Sequence, residues 1–485
     1  MAKRNGKRNS PRRVVPATAG QGAALTVQAR YDAAGHGRRM RGWSAPSSGP
    51  NRAITGLPTI RNRSRDASRN EWAGASGARV WTTNLVGVGI LPRPRTKDAA
   101  LKARLVALWD DWANLADADG ILDFYGLQTL ATRSWVVSGE VFIRLRPRRL
   151  EDGLPVPLQI QLLESDMVPM LDQDLPNGNR IRSGIEFDRI GRRVAYWMHR
   201  EHPGDTFSGS ISLTDLARVD AASVRHLFEP LRPGQLRGVS EFAPILAKLR
   251  GVMDFDDAVL ERQKLANLFT LLITRPASGS TDAAIDPVTG TAIQYDTSGA
   301  PLAALEPGIS MELAPGEEPK FSDPPDAGAN YGEFMRQQHL GVSAGQGTPY
   351  ELLTGDIRDV SDRTLRVVIN EFRRHCEQRQ WQILIPMLCA PVRDAWAAAA
   401  GLSGVLTPDE AREARNVTWA PHGWAYIHPT QDVQAKKMEK EAGFKSRSQI
   451  ITERGDDPEE VDAERAEDRA RETRLKLTPP GPADA

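Results

Sequence analysis

Asp254, Asp256 and Asp257 place three carboxylates within four positions, a set that could hold a hard divalent cation through oxygen ligands. They fall in a stretch of helical periodicity, where neighbouring acids form a solvated face or ion pairs between subunits. Glu164 and Asp166 lie two apart in a strand-like run, so alternation should send them to opposite faces and deny them a shared acid–base site. His199 and His202 could share a metal, but they sit where a polar turn is expected, and no His-Glu-x-x-His pattern occurs. Gly234-Gln-Leu-Arg-Gly238 lacks the Gly-Lys-Ser/Thr ending of a phosphate loop, and Gly87-Val-Gly89 lacks the third glycine of a dinucleotide fingerprint. Ser240 has no Gly-x-Ser-x-Gly setting. Cys376 and Cys389, thirteen residues apart on an expected helix, make neither a disulfide framework nor a zinc site. The expectation is therefore no catalytic set, no cofactor and no metal. One polar group remains: Tyr350, Asp356, Arg358, Asp359 and Asp362, all inside one connecting segment.

Periodicity gives the helices and strands that carry these residues. A helix is expected near Ile60–Asn70, with Arg61, Arg65 and Arg69 in an i, i+4 row. Lys97–Ala118 carries Leu101, Leu105, Leu108, Trp109 and Trp112 on one side, and Phe124–Val137 makes the next helix. Gly139–Leu145 and Gln159–Asp166 read as strands, and Asp188-Arg-Ile-Gly191 as a hairpin turn. Together they form a mixed α+β domain to about residue 235. Ser240 should cap a long helix running to about Thr270. Arg275 to about Pro325, rich in Pro, Gly, Ala, Ser and Thr, lacks a core pattern and reads as a projecting module. A helix at about Ala329–Ala344 leads into a loop of about eighteen residues, Gly345–Asp362, longer than most connections. The next long helix has Leu365, Val368, Ile369, Phe372 and Cys376 on one face, and Pro386 should kink or end it. A strand-like run with Trp424 and Tyr426 stops at Pro429. Charged helices come next, opening near Thr430, Ser446 and Asp457 and stopping at Gly443 and Gly455.

Over 485 residues, 40% are apolar and 26% charged, the balance of a soluble chain with two or three cored domains. No apolar run is expected to reach the roughly 18 residues of a bilayer span, and no apolar segment succeeds the basic N-terminus. A membrane partner is not expected, and the compartment should be a reducing cytosol or a particle assembled there. The net charge of +1 hides a split: Met1–Arg95 carries 18 Lys and Arg against 3 Asp and Glu. Such an arm either touches nucleic acid or acts as a flexible, solubilising counterweight to acidic neighbours in an oligomer.

Several strings resemble those of portal proteins from lambda-type tailed bacteriophages. They are Tyr31-Asp-Ala-Ala-Gly-His-Gly-Arg-Arg-Met-Arg-Gly-Trp43, Arg63-Ser-Arg-Asp66 with Arg69-Asn70, the turn Val86–Pro92, Arg232-Pro-Gly-Gln-Leu-Arg-Gly-Val-Ser240, residues 349–356, and Trp419–Thr430 with its lysine-rich helix. His428 stands where that family usually has aspartate. The resemblance implies a portal fold. A mixed α/β wing would take 26–235 and 363–429, stem helices 236–270 and 329–345, a clip 271–328, a tunnel loop 346–362 and a helical crown 430–475, with 1–25 and 476–485 disordered. The wing would include a long kinked helix just after the tunnel loop.

The same resemblance implies no enzymatic activity. It implies a homo-oligomeric ring of about twelve subunits at one capsid vertex of a virion, assembled in the host bacterial cytoplasm. Double-stranded DNA would pass through it without sequence preference. The large terminase subunit, the major capsid or scaffold protein and head–tail connector proteins would be its partners. Tyr350, Asp356, Arg358, Asp359 and Asp362 would then line a net acidic constriction, unless the loop touches only the neighbouring subunit. The alternative function is a DNA-processing enzyme that uses the basic arm. It needs a convergent carboxylate or histidine site that these patterns do not supply.

Overall fold

The computed structural model describes residues 48–205, 215–268, 272–274, 318–320, 330–358, 360–424 and 428–477. The chain divides into Met1–Gly49 and Pro50–Ala485, and the elements belong to the second unit. The expected basic arm, the Tyr31–Trp43 string, the body of the expected clip, Asp359 and Tyr426 lie outside the described residues.

Helices α1 (Leu57–Asn70) and α2 (Trp72–Val86) meet at Glu71, with Gly74 pressed so closely on the Ala67 carbonyl that a Cβ would lie 2.4 Å from its oxygen. Strand β1 (Leu91–Pro94) is next, then α3 (Ala99–Ala113) and α4 (Phe124–Ser138). Asp98 caps α3 by accepting from the Ala100 and Leu101 amides, and Asp123 caps α4 by accepting from Gly126. The strands then come in sequence: β2 (Glu140–Pro147), β3 (Leu158–Glu164), β4 (Gln173–Asp174), β5 (Arg180–Arg182), β6 (Ile185–Phe187), β7 (Arg193–His199), β8 (Leu216–Asp220) and β9 (Val224–Phe228). They form two antiparallel sheets, ordered β3-β2-β9 and β4-β5-β6-β7-β8. The hairpin expected at Asp188–Gly191 joins β6 to β7, and Gly191 takes φ +85° there.

Alternation along β2 divides the core. Val141, Ile143 and Leu145 pack with Trp109, Trp112, Trp135 and Trp396 on the helical side. Phe142 turns the other way, onto Ile185, Phe187, Tyr196 and Met198 of the second sheet.

Helix α5 (Leu246–Leu268) starts later than Ser240. Ser240 Oγ does accept from the Phe242 amide at 3.1 Å, but Pro244 disfavours helical geometry in the residue before it, and a turn intervenes. At 23 residues the helix is about 35 Å long. Strands β10 (Leu272–Thr274) and β11 (Glu318–Lys320) pair antiparallel. Helices α6 (Tyr331–Gln346) and α7 (Tyr350–Thr354) precede α8 (Asp362–Arg379). The helix does not end at Pro386. Residues Gln380–Cys389 widen into a π-helix that accommodates the missing N–H of the proline, and α9 (Ala390–Leu402) continues without a gap. By length and composition Asp362–Leu402 could cross a membrane, which the sequence did not lead us to expect. Its Leu384, Leu388, Val392 and Trp396 are buried in the core beneath β2, the pattern of a soluble protein's central helix.

α10 (Pro408–Glu413) and β12 (Val417–Ala420) bring the chain back to β1. The strand ends at Ala420, so Trp424 lies beyond it and packs under Arg373 instead. α11 (Pro429–Glu441), α12 (Arg447–Glu453) and α13 (Pro458–Leu475) complete the chain. Their caps are the expected ones: Ser446 accepts from Gln449, Asp457 from Glu459, and Gly443 takes φ +75°.

Burial pushes the Cys376 thiol up to about 12 and the Cys389 thiol further. Neither should react with iodoacetamide at pH 8 in the folded protein, and both should react in denaturant, read by mass spectrometry. Rapid labelling of the native chain would contradict this packing.

Candidate functional site

The segment between α6 and α8 is anchored before it becomes exposed. Gly347 closes α6 in a left-handed cap at φ +72°. The Gln346 carbonyl accepts from Trp81 Nε1 at 3.1 Å, and the Leu353 carbonyl from Ser76 Oγ at 2.7 Å. Leu353 itself packs with Phe242, Ile245 and Val342. The expected loop of eighteen residues is thus corrected: Tyr350 and Leu353 point inward and stabilise a helical turn, leaving Gly347–Pro349 and Gly355–Ser361 as short connections.

Asp356 organises the exposed part. It accepts from the Arg358 amide at 3.1 Å, from Arg358 Nε and Nη2 at 2.8 Å each, and from the Tyr350 hydroxyl at 3.1 Å. These bonds, those from Arg358 foremost, hold its carboxyl well below the usual carboxylate range. Partial burial, and then the bond to Asp356, push the Tyr350 hydroxyl up. Arg336 of α6 stacks over the Tyr350 ring at 5.8 Å. Asp362 opens α8 behind the N-cap Ser361, and its carboxylate meets His428 Nε2 at the N-cap of α11. The structure therefore brings Tyr350, Asp356 and Arg358 together, and sets Asp362 apart against the C-terminal helices. Asp356 and Arg358 form an ion pair within the segment.

The carboxylates of Glu164 and Asp166 converge, contrary to strand alternation, because β3 ends at Glu164 and Ser165–Met167 forms a tight 3₁₀ turn. With His202 they make a trio of metal-ligand types. Arg65 Nη2 lies 2.8 Å from Glu164 and 2.7 Å from Asp166, so a guanidinium already occupies the place of a cation. The trio ties α1 to the sheet. Asp254 pairs with Arg250 within α5 at 2.9 Å, and Asp256 accepts from the Tyr331 hydroxyl of α6.

A sequence family described as phage portal protein, lambda family, matches residues 36–380. The chain belongs to that family. It is 28% identical over 442 residues to the probable portal protein of Halomonas phage phiHAP-1, covering 87% of this chain and 82% of the relative. It is 21% identical over 497 residues to portal protein B of Escherichia phage lambda, covering 93% and 91%. Among solved structures, a chain from the neck of a native GTA particle is similar at 16% identity and TM-score 0.45, covering 86% of this chain and 97% of that one.

Within the portal-like string Arg232–Ser240, Arg237 and Gly238 form a buried clamp. Arg237, fully buried, donates through Nε to Glu140 at 2.8 and 3.0 Å. Its other nitrogens donate to the carbonyls of Ser165, Val168 and Ser183. Glu140 also accepts from the Gly238 amide at 2.9 Å and meets His226 Nε2 at 2.9 Å. Burial alone would raise the Glu140 carboxyl, but Arg237 and His226 outweigh it and hold it below the usual range. Burial drives the His226 imidazole down to about 4, against the pull of Glu140. Gly238 has no room for a side chain: a Cβ would lie 2.0 Å from the Gly139 carbonyl oxygen. Sequence reading identified the string but not this clamp, because Glu140 and Arg237 are 97 positions apart. The one local clue was a glutamate opening an apolar strand, Glu140-Val-Phe-Ile143.

Proposed function

We propose that the chain forms a closed ring of about twelve copies at a capsid vertex. Double-stranded DNA would be packaged and later ejected through it. The match to the lambda family of phage portal proteins over residues 36–380 carries this reading. The large terminase subunit, the capsid or scaffold protein and the connectors are the partners that go with it. Within it, residues 26–235 and 363–429 are the wing, the 236–270 and 329–345 helices the stem, 271–328 the clip and 430–475 the crown. The paired ends of the clip at β10 and β11, between α5 and α6, support that division. The 346–362 segment is the channel element, presenting Arg358 and Asp356 on a buried Tyr350–Leu353 anchor.

DNA must slide through such a channel, so contacts should go to phosphates rather than base edges. Binding of purified rings to short duplexes should be weak, independent of sequence and steeply weakened by salt, as read by fluorescence anisotropy. Preference for one sequence that persists at high salt would contradict the reading. The DNA-processing alternative would instead give a monomer with nuclease activity. The trio Glu164–Asp166–His202, neutralised by Arg65, offers it no support.

A further inference from the structure

Arg144, Arg146, Arg148 and Arg149 have no carboxylate partner among the described residues. Arg144 and Arg146 lie on the face of β2 opposite Val141, Ile143 and Leu145, so they point away from the helical layer. Arg146 Nε donates to Gln161 at 3.0 Å and Arg148 Nε to Gln159 at 2.8 Å, which are neutral acceptors. Two of the nearby acids make bonds to other groups. Asp119 accepts from Gln161 Nε2 at 3.4 Å, and Asp152 accepts from the Arg149 amide at 3.0 Å. Partial burial and the neighbouring Arg146 both depress the Arg144 guanidinium.

The helical side of the same layer pair carries two acids on α3, unpaired among the described residues. α3 buries Leu105, Trp109, Trp112 and Ala113 and leaves Asp110 and Asp111 exposed. Partial burial and Asp111 raise the Asp110 carboxyl, and no basic side chain pairs with either among the described residues. Asp123 lies close by, since it and Asp110 both act on the Tyr125 hydroxyl.

We propose that the arginine row of one copy receives Asp110 and Asp111 of the next. This rests on the ring reading and assigns its wing contact. The two charge sets lie on opposite sides of one sheet-and-helix layer, so each copy offers a donor face and an acceptor face. Contacts of this head-to-tail kind close into rings when the rotation allows, whereas a self-paired face would set arginine against arginine. Complementary charge also fixes register and excludes wrong partners.

The test uses the full chain in two forms. Arg144→Glu with Arg146→Glu and Arg148→Glu should stay folded by circular dichroism and sediment as monomer. Asp110→Lys with Asp111→Lys should do the same. An equimolar mixture should assemble again, because each reversed face meets its complement on the other variant. Ring assembly by either variant alone, at wild-type concentration, would overturn the proposal, as would a folded mixture that stays monomeric. An arginine variant that keeps its rings but loses duplex binding would also overturn it, making the row a polyanion site. Wild-type protein that is itself monomeric would sink the ring reading instead. Where a charge reversal unfolds the chain, copies with Arg148→Cys mixed with copies with Asp111→Cys decide the matter. A short bismaleimide should join them within assembled rings, and intact rings without that cross-link would contradict the contact.

Discussion

Arg237→Leu should lower the stability of the subunit by about 3–5 kcal/mol, because it leaves the Glu140 carboxylate buried without its partner. The double replacement Glu140→Leu with Arg237→Leu should recover part of that loss, since no buried charge then remains unpaired. Urea denaturation of both variants gives the comparison. A single variant within about 1 kcal/mol of wild type would contradict the clamp. The same group sets a pH dependence. His226 ionises near 4 in the folded chain against 6.5 when unfolded, so the unfolded state takes up the extra proton. Stability present at neutral pH should therefore fall as pH drops from 6.5 towards 4. It should fall further below the usual glutamate range, as Glu140 is forced to protonate. His226→Gln should flatten the first part of that decline. An unchanged slope would show that another group carries it.

Replacing Gly355–Val360 with two glycines should leave ring assembly intact and sharply reduce the fraction of particles that keep their genome. Tyr350 and Leu353 hold the helical turn before this stretch, and Ser361 caps α8 after it, so the deletion spares both anchors. What it removes is the Asp356–Arg358 pair, which in the proposed ring would set a repeated array of opposite charges against passing phosphates. Packaged DNA measured after nuclease treatment, beside electron microscopy of the rings, separates the two effects. Failure of the rings themselves would make the segment an assembly element. Normal rings with normal retention would show that it is not a DNA gate.

Much of the fold was legible because its signals are local. Gly443, Ser446, Asp457 and Gly455 mark helix ends through backbone geometry and side-chain caps that need no distant partner. The β6–β7 hairpin was legible for the same reason. Features that failed depend on contacts far along the chain. Pro386 could have ended its helix, yet burial beneath β2 holds a widened helix through it. The turn at Tyr350–Thr354 forms because Leu353 finds Phe242, more than a hundred residues away. Glu164 and Asp166 were assigned to opposite faces because strand alternation was carried past the point where the strand stops. Within the candidate site, residue types were legible and pairing was not. Counting acids against Arg358 could not show that Asp356 and Arg358 satisfy each other.

Whether this chain closes into a ring around a central channel decides the functional reading. Electron microscopy of the purified full chain, with native mass spectrometry of the same sample, answers that question. Annular particles of one symmetry are expected, close to twelve copies, with a stain-filled hole on the axis. Folded protein that remains monomeric at every concentration, or assembles only into open filaments without a channel, would contradict the portal reading.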